Sequence, residues 1–391
     1  MAMRVFYRLV ALSVVLAAAS FAPAVSSGEE RSPGYGGRMA AVLQPFVDSH
    51  TLAGAVVLVA DKNKVLDVEA VGYADVAAKK RMRTDCTFWI ASQSKPIAAA
   101  ALMMLVDEGK VKLDDPVEKY LPEFQGQMVV AERDKDHVLL RKPKHPITVR
   151  NILSHTSGLP FASPIEKPTL DLFPLECRVR SYAMLPLEFE PDSKSMYANA
   201  GINTAGRIIE VVSGMTFEKF LDQRLLKPLG MNDTTFWPSR EQIQRLAKAY
   251  KPVKGGGIEE CRIEQLKYPL DDPRRQPMPA GGLFSTAADL SLFYRTIANG
   301  GVFAGKRILS ERAVREMAMP QLANPHYGLG MSSDGNRVGH GGAYSTDSCF
   351  DKKRGLIMIF LVQHAGWPKG GDKILGAFQK AATDAFAPHS P

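Results

Sequence analysis

Long apolar runs are missing from the sequence beyond its N-terminal region, so no later stretch approaches the length of a membrane-spanning helix. The one early run, residues 9–19, follows Arg4 and Arg8 and precedes small-residue cleavage candidates. This pattern is typical of a secretory signal peptide, with an uncleaved anchor as the alternative. We therefore expect a signal peptide over residues 1–26, a linker over residues 27–35, and a periplasmic or secreted protein without a stable membrane span.

Cysteine is also scarce in this chain. Its four cysteines lie far apart in 391 residues, and none has the close spacing of a zinc site. Export permits disulfides, and four cysteines allow three full pairings, between which the sequence does not choose. Cys86 and Cys349 lie in apolar segments that suit buried side chains, and the other two are Cys177 and Cys261.

Several catalytic and binding motifs are absent. There is no Gly-x-Ser-x-Gly elbow of an α/β-hydrolase and no His-Glu-x-x-His zinc motif. Residues 300–307 nearly spell a phosphate-binding loop, but Arg307 replaces the Ser or Thr that must hold magnesium. The formal charge is +8, or +6 without the two arginines of the signal peptide, which suits anionic substrates without demanding nucleic acid. The basic segment 141–145 reads as a solvated hairpin edge, so no nucleic-acid partner is predicted.

What the sequence does contain is a helix-forming stretch that opens at Ser92. A short apolar run ends at this serine, and an Ala/Leu/Met-rich stretch follows, which predicts Ser92 in the first turn of a buried helix. Lys95 lies on the same face, and a buried lysine requires polar partners. A hydroxyl beside an amine and free helix N–H groups can form a nucleophile and hold an oxyanion. A capping serine with a solvated lysine is the alternative.

Strand patterns occur at both ends of the chain, and helical periodicity dominates the middle. A strand over residues 53–60 and its return make an N-terminal hairpin. Strand patterns recur near the C-terminus, the first of them over residues 327–331. Residues 162–195 and 251–280 read as irregular, and no internal repeat is present.

These patterns predict an α/β (α+β) fold. The N-terminal hairpin and the C-terminal strands would join in one antiparallel sheet flanked by helices, because each apolar sheet face must be covered. The middle of the chain would form a mostly helical lobe inserted into this unit. The predicted domain covers residues 36–388, with a sheet lobe over about 36–110 and 280–388 and a helical lobe over about 111–279.

Two later motifs also place reactive or polar groups together. In Tyr197-Ala-Asn199, a phenol and an amide two residues apart point the same way if the chain is extended, although a packed tyrosine and a capping asparagine would look alike. Gly339-His340-Gly-Gly342-Ala343 ends a predicted strand, where glycines let a ligand or another backbone approach. A packed histidine is the alternative there.

Taken together, the three motifs resemble those of penicillin-recognising serine hydrolases. Ser92-Gln-Ser-Lys95, Tyr197-Ala-Asn199 and His340-Gly-Gly342 occur in the order of that family, separated by 105 and 143 residues. This spacing resembles the branch of class C β-lactamases, DD-carboxypeptidases, D-aminopeptidases and family VIII esterases. The segments that frame these motifs, 153–160, 199–206 and 280–289, also resemble segments of that family. The resemblance covers about residues 38–385.

The resemblance implies a β-lactamase/transpeptidase-like fold and an acyl-enzyme on Ser92, with no metal or cofactor. Lys95 and Tyr197 would share the proton transfers, and which of them is the base stays open. The backbone N–H groups of Ser92 and Ala343 would hold the oxyanion, and Asn199 would orient Lys95 and the substrate. The implied substrate-binding residues are Asn199, His340, Gly342 and Ala343.

The implied substrate is a small molecule or a peptidoglycan-like compound: an ester, a β-lactam or a D-amino-acid amide. A covalent penicillin-binding sensor with little turnover is the alternative function. Phe161-Ala162 stands where class C β-lactamases usually carry Gln, and His340 stands where they usually carry Lys, so weak β-lactam hydrolysis and easier turnover of neutral esters are expected. With a reference pKa near 6.5, His340 is expected to favour carboxylate substrates as the pH falls through about 6–7.

Overall fold

Residues 37–387 are described by the computed structural model. The predicted signal peptide (1–26) and linker (27–35) lie outside this range. Within it, no helix is both long enough and apolar enough to cross a membrane. The predicted limits of the domain and of its two lobes remain predictions.

The strands occur mainly near the two ends of the described chain, with short hairpins between them. They are β1 (Gly54–Ala60), β2 (Val65–Asp75), β3 (Lys80–Arg81), β4 (Phe88–Trp89), β5 (Val129–Arg133), β6 (Val138–Arg141), β7 (Ala249–Pro252), β8 (Ile258–Cys261), β9 (Phe284–Ser285), β10 (Val302–Phe303), β11 (Lys306–Arg307), β12 (Ser332–Ser333), β13 (Arg337–Gly341), β14 (Asp347–Asp351) and β15 (Leu356–Leu361).

A seven-stranded antiparallel sheet joins the early and late strands in the order β12-β13-β14-β15-β1-β2-β3. The joint is the pairing of β1 with β15, in which Val57 lies opposite Phe360. β1 is buried along its whole length because both faces of the sheet are covered. The predicted sheet, built from the N-terminal hairpin and the C-terminal strands, is therefore confirmed.

Helices cover the sheet and fill the segment between the two groups of strands. They are α1 (Arg38–Asp48), α2 (Ser94–Asp107), α3 (Val149–Ser154), α4 (Leu175–Ala183), α5 (Asn199–Ser213), α6 (Phe217–Leu221), α7 (Lys227–Leu229), α8 (Arg240–Arg245), α9 (Ala287–Ala298), α10 (Glu311–Ala318) and α11 (Ile374–Phe386).

The side chains of β1 alternate between two apolar clusters, as the two-residue period of a strand requires. Val57 and Val59 belong to the outer cluster, which α1 and α11 cover with Leu43 and Phe378. Val56 and its alternating neighbours belong to the larger inner cluster, which contains nearly all of the apolar face of α2. α2 also packs against α5 and α10, so the helix that begins near Ser92 is held on several sides.

Three local predictions are wrong. The region 162–195 contains α4, a short helix whose apolar side chains are hidden among prolines in the sequence. The predicted loop 251–280 contains β8 and the end of β7. The predicted strand 327–331 does not form: Gly330 has φ +74°, and a Cβ on Gly328 would lie 2.0 Å from a backbone carbonyl of α10, so this segment bends against the helix.

All four cysteines fall within the described residues and none is in a disulfide. Cys86 and Cys349 are buried, as their apolar contexts predict. Cys177 is exposed on α4.

Candidate active site

Ser92 lies in the 3-10 turn Ala91–Gln93, which runs directly into α2. Ala91 has φ +46°, in the left-handed region that residues with a side chain seldom adopt, and this bend turns the chain from β4 into the helix. Pro96 is the third residue of α2, where its missing N–H removes no helical hydrogen bond. Ser92 thus lies at the entry of a buried helix, as the sequence predicts.

The amine of Lys95 is fully buried at the centre of the site. Its Nζ lies 2.9 Å from Ser92 Oγ, and it donates to Asn199 Oδ1 at 2.9 Å and to the Ala280 carbonyl at 2.7 Å. Burial lowers the pKa of Lys95 well below its ordinary value. The expectation of polar partners is confirmed, and the alternative of a solvated lysine is wrong.

Tyr197 lies two residues before α5 with its ring over Lys95, whose Nζ is 4.7 Å from the ring centroid. The rings of His155 and Phe161 are its neighbours, at centroid separations of 4.6 and 6.3 Å. Although 40% of Tyr197 is exposed, burial raises its pKa to about 12, and the Ser92 side chain opposes this only in part. The phenol is therefore protonated at neutral pH.

His340, on β13, is 7% exposed and engages both of its ring nitrogens. Nδ1–H donates to the Gly341 carbonyl at 2.6 Å, and Nε2 accepts from the Tyr327 hydroxyl at 3.0 Å; the carbonyl can only accept, which assigns this tautomer. Burial, with a smaller contribution from Lys95, lowers the pKa of His340 to about 3. The expected titration between about pH 6 and 7 is therefore wrong, because the reference value ignores burial.

The chain beyond β13 passes close to the turn that carries Ser92. A Cβ on Gly342 would lie 2.6 Å from the Ile90 carbonyl oxygen and 2.2 Å from Thr346 Oγ1, so only glycine fits. The Gly342 N–H donates to the Thr346 carbonyl at 2.7 Å. The next N–H, that of Ala343, has no acceptor anywhere in residues 37–387 and can serve a ligand oxygen.

The sequence does not single out His155, Tyr327 or the Ala280 carbonyl as parts of the site. His155 has φ +64°, and its ring contacts the rings of Tyr197 and Tyr327 at 4.6 and 4.5 Å. Its Nδ1 accepts from the Ala198 N–H at 3.3 Å, and burial lowers its pKa well below the ordinary value. His155 and Ala280 fall in the familiar framing segments, whereas no sequence signal marks Tyr327.

A hydroxyl, a buried amine and a protonated phenol thus lie together, and a free backbone N–H follows the residue that contacts the turn of Ser92. Such groups can perform acyl transfer, in which the hydroxyl attacks a carbonyl carbon and N–H groups hold the oxyanion. Over the described part of the chain, no group of three or more His, Cys, Asp or Glu side chains is arranged to hold a metal. The flanked antiparallel sheet and this site define a serine hydrolase of the β-lactamase/transpeptidase-like fold.

Within that class, the chain belongs to the Beta-lactamase family, whose sequence model matches residues 39–381. Esterase EstB of Burkholderia gladioli is 28% identical over 369 residues, which cover 84% of this chain and 90% of EstB. The predicted family, fold class and enzyme class are therefore confirmed.

Solved structures agree with this assignment. EstCE1, described as a hydrolase with promiscuous acyltransferase activity, superposes with a TM-score of 0.74 at 25% identity and covers 88% of this chain and 97% of its own. Unliganded simvastatin synthase (LovD) of Aspergillus terreus gives a TM-score of 0.75 at 20% identity, over 90% and 98% of the two chains. At that identity, LovD is evidence for the fold alone.

Proposed function

We propose that this protein is a carboxylester hydrolase that forms an acyl-enzyme on Ser92, with Lys95 as its base. The observation that carries the proposal is the set of partners around the Lys95 amine. A neutral amine has two N–H groups and one lone pair. Asn199 Oδ1 and the Ala280 carbonyl can only accept, so they take both N–H groups and leave the lone pair facing Ser92 Oγ, 2.9 Å away.

Acylation follows from these positions. The Ser92 proton passes to Lys95 while Oγ bonds to the ester carbonyl carbon, and the N–H groups of Ser92 and Ala343 hold the oxyanion. Collapse breaks the carbon–oxygen bond to the alcohol, which leaves with the Tyr197 proton. The ammonium of Lys95 then returns a proton to the Tyr197 phenolate, so both groups regain their starting states.

Deacylation repeats the same transfers with water. Neutral Lys95 takes a proton from the water as its oxygen bonds to the acyl carbon, and Ser92 Oγ departs with a proton. The carboxylic acid is released and Ser92 is regenerated. Asn199 keeps the amine oriented through both halves of the cycle.

An uncharged ester is the substrate class that the site favours. Neutral His340 puts no cation at the third motif to hold a substrate carboxylate, and Gly342 lets the neighbouring strand edge approach Ser92. Phe161, half-exposed beside Tyr197, offers an apolar surface to an acyl or alcohol group. The esterase named among the relatives supports the same choice.

The experiment is a panel of nitrophenyl esters, nitrocefin and D-alanyl peptides, assayed with the protein and with Ser92→Ala. We expect steady-state turnover of small neutral esters, weak or no turnover of the other two classes, and one fluorophosphonate label per chain that Ser92→Ala removes. A burst without steady-state turnover would indicate the covalent sensor instead. A label that still attaches to Ser92→Ala contradicts the assignment of the nucleophile.

We also propose that residues 1–26 direct export and are then removed. The support is the pattern of arginines, apolar run and small residues in the sequence. N-terminal sequencing of the protein from the culture medium and the periplasm tests this, and an intact Met1 in an exported protein would contradict it.

A further inference from the structure

Residue Ala280 joins the catalytic lysine to a second set of polar groups. Its carbonyl accepts from Lys95 Nζ, and its N–H donates to Asn203 Oδ1 at 3.1 Å. The preceding Pro279 packs directly on Gly206, where a Cβ would lie 2.4 Å from the proline ring. Helix α5 therefore holds this segment by one hydrogen bond and one close contact, and the segment in turn holds the amine.

The hydrogen bonds continue away from the site in one direction. Asn203 Nδ2 donates to Tyr182 Oη at 3.0 Å, and the Tyr182 hydroxyl donates to Glu166 Oε1 at 2.7 Å. Glu166 Oε2 accepts from the Ser163 N–H at 2.9 Å. Because the Ala280 N–H can only donate and the Tyr182 proton is committed to Glu166, the amide of Asn203 has one possible orientation.

The whole path is buried. Asn203 and Tyr182 have no exposed surface, Glu166 is 4% exposed, and the fully buried guanidinium of Arg178 lies 4.0 Å from Glu166 Oε1. Burial raises the pKa of Tyr182 well above its ordinary value, so its hydroxyl remains a donor. Buried polar groups are costly unless all of them are paired, and a fully paired chain fixes the position of its members.

We propose that Asn203, supported by Tyr182 and Glu166, is a positioning residue that holds the Ala280 carbonyl where it directs the lone pair of Lys95 at Ser92. The inference rests on the proposed role of Lys95 as base. Without Asn203, only the contact of Pro279 with Gly206 holds this segment, so the Ala280 carbonyl can turn away and leave one N–H of the amine without its acceptor. The amine can then rotate, so that its lone pair no longer faces the nucleophile.

The titratable groups facing Lys95 do not mask this effect. Tyr197, with a pKa of about 12, stays protonated at neutral pH, and His340, with a pKa of about 3, stays neutral. Burial also holds His155 in its neutral form. The acidic limb of the pH profile of kcat/KM therefore reports Lys95 itself.

The test compares Asn203→Leu with Thr204→Val, measured on a neutral nitrophenyl ester. Thr204 is the matched control because it is also fully buried on α5, but its hydroxyl donates only to Ala200 O, within the helix. For Asn203→Leu we expect kcat to fall about 10- to 100-fold with KM changed less than about 2-fold. The acidic limb should move to lower pH, because a carbonyl acceptor that stabilises the ammonium form is lost.

Tyr182→Phe keeps the ring in place and is the second test variant if Asn203→Leu folds poorly. It should give a smaller loss of kcat and should also move the acidic limb to lower pH. In a Lys95→Met background, Asn203→Leu should not slow fluorophosphonate labelling further, because the group it positions is gone. The proposal is overturned if Thr204→Val loses as much kcat as Asn203→Leu does. It is also overturned if the acidic limb of the pH profile is unchanged in both Asn203→Leu and Tyr182→Phe. If Lys95→Met itself labels at the normal rate, the proposed base is wrong.

Discussion

At the scale of single residues, burial decides which groups of this site carry charge. Lys95 is surrounded by protein and its pKa falls, whereas the same effect raises the pKa of Tyr197 to about 12. Burial thus favours the neutral amine of Lys95 and keeps the phenol of Tyr197 protonated near pH 7, so the two groups divide the work without competing for one proton. The amine can accept a proton and the phenol can donate one, which is the assignment that the contacts of Lys95 favour.

The pH profile distinguishes the two candidate bases. If Lys95 is the base, kcat/KM is lost as the pH falls through its lowered pKa and levels off above that pKa, once the amine is neutral. If the Tyr197 phenolate were the base, kcat/KM would still rise about tenfold per pH unit up to about pH 10, because so little phenolate exists below the phenol's pKa of about 12. The background rate measured with Ser92→Ala is subtracted from each rate. A profile that keeps rising up to about pH 10 contradicts the assignment of Lys95 as the base.

Substitutions at His340 test whether a charge in the third motif, His340–Gly342, selects the substrate. With a pKa of about 3, it does not titrate between about pH 5 and 8, so KM should not change in that range for either a neutral nitrophenyl ester or its carboxylate-bearing analogue. His340→Lys adds a cation, and we expect kcat/KM to shift about tenfold toward the carboxylate analogue, well below the Coulomb limit because solvent screens the pair. His340→Gln is the neutral control. An equal shift in that control would show that charge is not the cause.

At the scale of elements, the end of β13 must approach the entry of α2 closely. Gly342 allows this because its missing side chain leaves room for the Ile90 carbonyl and Thr346. Gly341, one residue earlier, has room for a side chain, since a Cβ there would make only an ordinary contact with the Thr346 carbonyl at 3.5 Å. The free N–H of Ala343 follows directly, so the separation of these two elements sets the position of the predicted oxyanion site.

The difference in space at Gly342 and Gly341 predicts different effects of adding a methyl group at each position. Gly342→Ala should lower kcat/KM at least about 100-fold, because the added methyl pushes the Ala343 N–H away from the substrate oxygen. Gly341→Ala should stay within about threefold of the unmodified protein. Both are measured with the same neutral ester after circular dichroism shows that they are folded. Equal losses in the two variants would mean that the strand end is not held by this contact.

The sequence predicts the helices and strands of this site better than the contacts between them. Helix-forming residues after Ser92 and glycines at the end of β13 are local signals, and both elements form where expected. The partners of Lys95 come from distant segments, and a backbone carbonyl such as that of Ala280 leaves no trace in residue type. The pKa of His340 depends on burial and on the nearby Lys95, which only packing reveals.

At the scale of the whole molecule, β1 and β15 join chain ends that are some 300 residues apart in sequence. This arrangement could be predicted because the strand patterns occur mainly at the two ends and must pair to bury their faces. The missed helix α4 and the hairpin of β7 and β8 are short, and the long-range contacts that fix them have no local signature. The predicted strand 327–331 is wrong because glycine contacts with α10 outweigh its apolar residues.

The outer layer of the sheet predicts a separation of stability from catalysis. Phe378 of α11 is fully buried against Phe360 of β15, at a ring-centroid distance of 5.8 Å, on the face away from the cluster that contains α2. Phe378→Ala should therefore lower the free energy of unfolding by about 3–5 kcal/mol, through lost burial and a cavity. Phe173→Ala is the control, because 42% of that side chain is exposed, and it should change stability by less than about 1 kcal/mol.

Urea denaturation gives the two stabilities, and fluorophosphonate titration counts the active sites. The value of kcat per labelled site should be unchanged in Phe378→Ala, because the sheet lies between this aromatic pair and Lys95. The inner cluster, which includes Ile97 and Leu102 of α2, remains intact in that variant and continues to support the turn of Ser92. A fall in kcat per labelled site that parallels the loss of stability would show that the outer layer also positions the site, and that the two faces of the sheet are coupled.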